Sequence, residues 1–375
     1  MEPKQQTEDE TYMRLAIELA KKGVGWVNPN PMVGAVIVKD GRIIGQGYHQ
    51  KCGELHAERN AFADCKEDAC GATLYVTLEP CCHTGRTAPC TQAILGHKIA
   101  RVVIGSNDPN PLVAGGGIRI LKEHGIEVKT GVLKEECDAI NPVFFHYIKN
   151  KTPYVTMKYA MTMDGKIATK TGASKWITGE TARKKVHEER HKNMAIMVGI
   201  GTVRLDNPSL TTRLEDYNAK NPIRIICDTH LATPLAATVV TTAKEQRTIL
   251  ATCCKEQEKW KPYEDAGCEI LLVKEENGRI NLKDMMIQLG KMGIDSILLE
   301  GGGTLNEAAL RAGIVKKVQT YIAPKIFGGD TAKSPVAGIG VNVPNDAFFL
   351  KNTTIEKIGE DFLLESEVVT CSPEL

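Results

Sequence analysis

Histidine, cysteine and carboxylate side chains gather in two stretches of the first hundred residues: HAERNAF (56–62) and LEPCCHTGRTAPC (78–90). A catalytic zinc prefers three protein ligands and a fourth position left open for water. His56, Cys81 and Cys90 would supply one imidazole and two thiolates. Glu58 lies two residues from His56. Residues so spaced do not share a helix face, which makes Glu58 an awkward co-ligand. A carboxylate beside the metal can instead exchange protons with water, whose pKa zinc lowers to about 7. Such an apparatus suits attack on an amidine-like ring carbon with expulsion of ammonia. A purely structural zinc would fill all four positions and have no use for Glu58. Cys82 and His83 remain open as substitute ligands.

These side chains must be placed by a fold. Cys81 follows Glu79-Pro80 at the end of a strand-like run, ATLYVTL (72–78), and Cys90 follows Pro89 where a helix begins. The free N–H groups and dipole of a helix start favour a thiolate. Before them come a helix over 10–22, strands over 32–39 and 42–49 joined by Asp40-Gly41, and a helix from about His56. Asp-Gly between alternating apolar runs is a strong hairpin signal. After them come a strand over 100–105, a helix near 116–124 and the strand IEVKTG. The order predicts a mixed sheet covered by helices, with strand ends and helix starts meeting at one sheet edge, the usual place for a site. The stretch 133–149 reads as helical, broken near Pro142.

A second alternation starts at YVTMKYA (154–160) and runs through a helix over 180–192 and strands over 194–200, 223–228 and 296–300. From about 316 it reads as strands with Gly/Pro turns. We expect two domains, 1–150 and 151–375. The second lacks G-x-G-x-x-G, but SILLEGGGTLNEAAL places three glycines between an apolar strand and a helix. Glycines there let backbone N–H groups approach a phosphate at the helix N-terminus. IMVGIGT (196–202) is a second junction of the same kind, and the two together suggest a nucleotide cleft.

Composition narrows the partners. Lys and Arg number 47 against 46 Asp and Glu, and aromatics make up only 5%. A nucleic-acid enzyme would show basic tracks and stacking aromatics, so the substrate is expected to be small. No apolar run approaches the roughly 20 residues of a membrane span. The acidic start MEPKQQTEDE lacks the layout of a signal peptide. A cytoplasmic location is expected, with the 12 scattered cysteines as thiols.

H-x-E followed by P-C and a second cysteine is a zinc nucleobase deaminase signature. Here the cysteines are nine positions apart (90 − 81) instead of the usual three. That spacing, with NPNPMVGAVIVKDGRIIGQGYHQKCGELHAE, YVTLEPCCHTGRTAPC and DPNPLVAGGGI, resembles the deaminase half of the bifunctional riboflavin-biosynthesis deaminase/reductase family. The likeness continues through MTMDGKIATKTGASKWITG, VGIGTVRLDNPSLTTR and YIAPKIFGG. Cys82 stands where that family more often has Ser, and Thr162 where Ser is expected.

The resemblance implies a cytidine-deaminase-like domain followed by a dihydrofolate-reductase-like α/β domain, with Zn2+ and NADPH as cofactors. It implies deamination of 2,5-diamino-6-(ribosylamino)-4(3H)-pyrimidinone 5'-phosphate, then reduction of the ribosyl group to ribityl. By position, Asn30, His49, His83, Arg86, Asp108 and Asn110 would bind the phosphorylated pyrimidine in the first domain. In the second, Ala160, Trp176, Thr202, Asp206, Thr229, Gly302 and Gly303 would contact NADPH. Ser174, Arg190, Leu210, Arg213 and Glu300 would contact substrate, the two arginines as phosphate clamps. A homo-oligomer, most simply a dimer, is implied as well. Two other readings are a tRNA or DNA base deaminase fused to another domain, and a zinc-stabilised nucleotide-binding protein without catalysis.

Overall fold

A computed structural model describes residues 7–84, 88–214 and 219–369. The chain forms two compact units that divide between Lys151 and Thr152.

The first unit runs α1 (Glu8–Lys21), β1 (Gly34–Lys39), β2 (Arg42–Tyr48), α2 (Ala57–Asp64), β3 (Thr73–Leu78), α3 (Cys90–Gly96), β4 (Arg101–Ser106), α4 (Gly116–Glu123), β5 (Glu127–Thr130), α5 (Lys134–Ala139) and α6 (Pro142–Asn150). α1 starts two residues earlier than expected because Thr7 and Glu10 form a capping box. Asp40 and Gly41 both have positive φ, as a two-residue hairpin turn requires, and they join β1 to β2. The strands lie in the order β2-β1-β3-β4-β5, with β1 antiparallel to both neighbours and β3, β4 and β5 parallel.

Strand periodicity splits β1 between two cores. Ala35 and Ile37 pack with Ala57, Ala61 and Phe62 of α2 on one face. Val36 and Val38 pack with Met13, Ala16 and Leu19 of α1 on the other. α2 lies so close to β2 that a Cβ on Gly47 would come within 2.4 Å of the Ala61 nitrogen. Only glycine permits that approach.

The second unit begins with β6 (Tyr154–Thr162), α7 (Glu180–Lys192), β7 (Ala195–Gly199), α8 (Ile200–Asp206), β8 (Ile223–Cys227) and α9 (Thr238–Thr241). It continues with β9 (Thr248–Thr252), α10 (Gln257–Asp265), β10 (Glu269–Leu272), the small ribbon β11 (Glu275–Glu276) and β12 (Arg279–Ile280), and α11 (Leu282–Lys291). β13 (Ser296–Leu299), α12 (Gly303–Arg311), β14 (Val315–Ala323), β15 (Leu350–Ile358) and β16 (Asp361–Val368) complete it. Nine strands form one sheet in the order β10-β9-β8-β7-β13-β6-β14-β16-β15. It is parallel from β10 to β14 and antiparallel at β16 and β15.

Its apolar strands are buried on both faces, as in a doubly wound sheet. Met197, Ile225 and Leu299 face α11 and α12, whereas Ile196, Val198, Ile226 and Leu250 face α9 and α10. The region 248–272 supplies β9, α10 and β10 and extends the sheet on the β8 side.

Candidate functional sites

Three elements converge on the first site. His56 is the N-cap residue of α2, Cys81 follows β3, and Cys90 is the first residue of α3. The His56 Nδ1 lies 3.5 Å from the Cys81 Sγ and 3.3 Å from the Cys90 Sγ. All three ligand atoms fall within 4.8 Å of one another, and no other such cluster occurs among the described residues. The backbone N–H of Cys90 donates to the Cys81 Sγ at 3.3 Å, the helix-start contact that favours a thiolate.

Cys90, as the protonated partner, pulls the Cys81 thiol down to about 4, helped by His56 against the cost of burial. Cys81 and burial push Cys90 far upward. The two sulfurs therefore share a proton that a cation would displace, and the N/S donor set is that of zinc. Cys82 is not part of the cluster: its thiol points at the Leu112 carbonyl, 3.7 Å away.

Glu58, in the first turn of α2, is only 3% exposed. Burial raises its pKa, with the Cys81 charge adding to the effect and His56 opposing it. It lies outside the ligand cluster, as the two-residue spacing predicts, yet shares a cavity of about 410 Å³ with His56 and Cys81.

The same cavity is lined by Asn30, His49, His83, Asp108 and Asn110, so five of the six expected pyrimidine contacts come together. The sixth, Arg86, lies outside the described residues. His49 is buried, and its Nδ1 donates to the Leu55 carbonyl at 3.0 Å, so its Nε2 accepts from the Asn30 amide nitrogen at 3.2 Å. Burial lowers the His49 pKa, in keeping with a neutral ring. Asn30 thus gives one of its two amide N–H groups to His49 and keeps its carbonyl oxygen for a ligand. The His83 Nδ1 is buried without a partner among the described residues, a polar atom that a ligand would satisfy. Asp108 accepts from the Asn110 N–H at 2.8 Å, and burial, joined by Glu79 and Cys81, raises its carboxyl to about 6.

Two positioning residues escape the sequence reading. Glu79 is buried and accepts from the N–H groups of Gly115, Gly117 and Ile118 at 3.1, 3.1 and 3.2 Å. It caps α4 and ties the loop carrying Asp108 and Asn110 to the strand end that carries Cys81. Arg59 of α2 donates to the carbonyls of Ala88 and Pro89, each at 3.2 Å, and so holds the approach to Cys90. An acidic residue at the end of an apolar strand and a basic residue beside Glu58 were the available signals.

The second site is a cavity of about 870 Å³ at the C-terminal ends of the parallel strands. Thr202, Asp206, Thr229, Gly302, Gly303 and Ser174 line it. β7 and β13 are neighbours in the sheet, and each runs straight into a helix that opens on the cavity. Gly302 is the N-cap residue of α12, so the first amides of that helix have no earlier helical carbonyl to bond. Free amides at a helix start, beside a cavity of this size, suit the pyrophosphate of a dinucleotide.

Ala160 lies in β6 and packs against the small core formed by Ala182, Tyr321 and Leu363. Trp176 is 62% exposed, with the Arg183 guanidinium 4.7 Å above its ring. Neither lines the cavity, and of the expected substrate contacts only Ser174 does; Arg190, Leu210, Arg213 and Glu300 lie outside its lining. Arg190 forms a two-point ion pair with Glu300, at 2.7 and 3.0 Å, and gives its remaining nitrogen to the Thr211 carbonyl. Lys158 lies 3.6 Å from the same carboxylate. Burial would raise the Glu300 pKa, but Arg190 and Lys158 outweigh it and bring it to about 2. Leu210 is buried with φ +54°, and its carbonyl accepts from Gln246. Arg213 is exposed and, among the described residues, makes one side-chain hydrogen bond, to the Ser209 hydroxyl at 3.3 Å. Of the two expected clamps, Arg213 is the one that keeps donors free of the described residues.

Comparison with known proteins agrees with this geometry. Residues 153–364 match the family model "RibD C-terminal domain", and residues 6–106 match "Cytidine and deoxycytidylate deaminase zinc-binding region". The chain is 56% identical to the riboflavin biosynthesis protein RibD of Actinobacillus pleuropneumoniae over 362 residues, 96% of each chain. The chain belongs to the RibD family. Its similarity to RibD of Aquifex aeolicus is 43% over 356 residues, covering 95% of this chain and 97% of that one.

Among solved structures, the RibD of Acinetobacter baumannii (form 1) superposes with a TM-score of 0.88 at 35% identity, covering 98% of this chain and 100% of that one. The Thermotoga maritima diaminohydroxyphosphoribosylaminopyrimidine deaminase/5-amino-6-(5-phosphoribosylamino)uracil reductase superposes at 0.84 with 40% identity, covering 96% and 99%. The chain is accordingly a bifunctional deaminase and reductase of riboflavin biosynthesis, with a cytidine-deaminase-like first unit and a RibD reductase second unit.

Proposed function

We propose that the first unit hydrolyses the amine from the diaminopyrimidine ribosyl phosphate and that the second reduces the ribosyl group of the product. The observation that carries this reading is Glu58, buried beside a His/Cys/Cys triad in a cavity that Asn30, His83, Asp108 and Asn110 also line. His56, Cys81 and Cys90 would hold zinc. When bound there, zinc supplies the Lewis acidity that makes water a nucleophile near neutral pH.

Glu58 would then move two protons in turn, one from the attacking water to the ring nitrogen and a second from the newly added hydroxyl to the amine, which leaves as ammonia. Its raised pKa keeps the proton available for each transfer. Asn30, oriented by His49, presents a carbonyl oxygen to the ring edge, and His83 offers its unpartnered nitrogen. Glu79 keeps Asp108 and Asn110 in register with Cys81.

In the second unit, NADPH supplies the hydride. Thr202, Asp206, Thr229 and the amides at Gly302 and Gly303 hold the cofactor, and Ser174, Glu300 and Arg213 hold the substrate. Arg190 then acts by fixing the Glu300 carboxylate, already bound at two points, rather than by gripping phosphate itself. The enzyme works in the cytoplasm on a small molecule, without nucleic acid or membrane. Among the described residues, no helix is long and apolar enough to cross a bilayer. A dimer is favoured by the edge strand β15, which pairs on one side only and leaves Leu350 and Ile355 exposed.

Mass spectrometry of products from the diaminopyrimidine phosphate, with and without NADPH, tests the two steps. Loss of the amine alone, followed by gain of two hydrogens when NADPH is present, is the expected result. Unchanged substrate in both arms would reject the reading.

A further inference from the structure

Resting on the reading of the second cavity as a NADPH site, we infer that Arg279 recognises the 2'-phosphate that distinguishes NADPH from NADH. The cavity spans the strand ends from β6 to β8. Ala168 and Ser174, which follow β6, line one end, and Thr229, which follows β8, lines the other together with Gly278 and Arg279 of the ribbon. On that reading Ser174, at the β6 end, takes the substrate, which puts the nicotinamide toward β6 and the adenosine toward β8.

Among the described residues, Arg279 is the only lysine or arginine lining that far end. Its position is built rather than incidental. Asn277 and Gly278, with φ of +51° and +74°, form the two-residue turn between β11 and β12. Both-positive φ is the tight hairpin type that fixes the residues on either side. Ile280 next in line is buried in the main core with Leu282 and anchors the ribbon. Alternation along the strand then turns Arg279 to the opposite, exposed face.

No carboxylate lies within ion-pair distance of Arg279 among the described residues, although Glu276 stands opposite it in the ribbon. Its planar fork of donors matches a phosphate monoester. A nearby arginine that accommodates the 2'-phosphate is also the general device by which nucleotide folds select NADP over NAD.

Titration calorimetry of the full-length protein with NADP+ and with NAD+, in the absence of substrate, tests the assignment. Arg279→Ala should weaken NADP+ binding roughly tenfold or more and leave NAD+ binding within about twofold. Arg279→Lys should restore part of the loss. Equal NADP+ affinity in the wild type and Arg279→Ala would overturn the assignment while leaving the reductase reading intact. So would a parallel loss of both dinucleotides, which would mark general damage to the cleft. Failure of the wild-type protein to bind either dinucleotide would overturn both.

Discussion

The two cavities solve different problems with different parts of the chain. The first must hold a point charge, and it uses rare side chains at element ends: an N-cap histidine, a cysteine after a strand and a cysteine opening a helix. The second must hold a long, flexible cofactor, and it uses backbone, glycines at a helix start and small residues beyond parallel strands. The charged groups that line it, Asp206, Arg279 and Lys333, form no ion pair with one another, whereas Arg190, Glu300 and Lys158 are tied together outside its lining. A site made of side chains is fragile to single substitutions, whereas a site made of backbone yields to them only gradually.

Metal removal gives the sharpest contrast. Dialysis against a chelator should abolish ammonia release yet leave NADP+ affinity within about twofold, because the metal site owes nothing to the second unit. Calorimetry and an ammonia assay on one preparation would measure both, and loss of both would break the separation. Arg213→Ala comes next. It should raise KM for the deaminated substrate by about 10- to 100-fold, the worth of a charge-assisted phosphate contact, without slowing deamination. Equal kinetics would remove Arg213 from the site.

Glu79→Ala should act through structure alone. Three backbone N–H groups would lose their acceptor, a cost of about 1–3 kcal/mol for each that stays buried and unpaired. Urea unfolding should show the first unit destabilised and the second unmoved. The smallest effect concerns pH. The Asp108 carboxyl sits at about 6 against an ordinary 3.8, so the folded state favours its protonated form. That contribution is fully present below about pH 3.8 and is lost as pH rises through about 6. Asp108→Asn should therefore stabilise the first unit at pH 7, with the advantage fading toward pH 4. A constant difference across that range would contradict the shift.

The zinc triad and Glu58 were legible in the sequence because few other roles demand histidine, glutamate and two cysteines at strand ends and helix starts. The hairpin at Asp40-Gly41 was legible because its turn type needs positive φ at both residues. Other features were hidden because they depend on distant partners. Nothing local to Asn30 or His49 shows that one orients the other across 19 positions. Arg190 sits in a run of charges that looks solvated, and only the fold brings Glu300, 110 residues away, against it. α10 and β10 carry mixed polarity that the sheet context decides.

The central claim is that Glu58 moves protons for the first step and contributes nothing to the second. Glu58→Gln should be supplied separately with the diaminopyrimidine phosphate and with its deaminated product, while zinc content is measured by atomic absorption. The account requires zinc at the wild-type level, ammonia release reduced by about 10²- to 10⁴-fold, and NADPH oxidation on the deaminated product at the wild-type rate. Wild-type ammonia release by a zinc-loaded Glu58→Gln protein would contradict it.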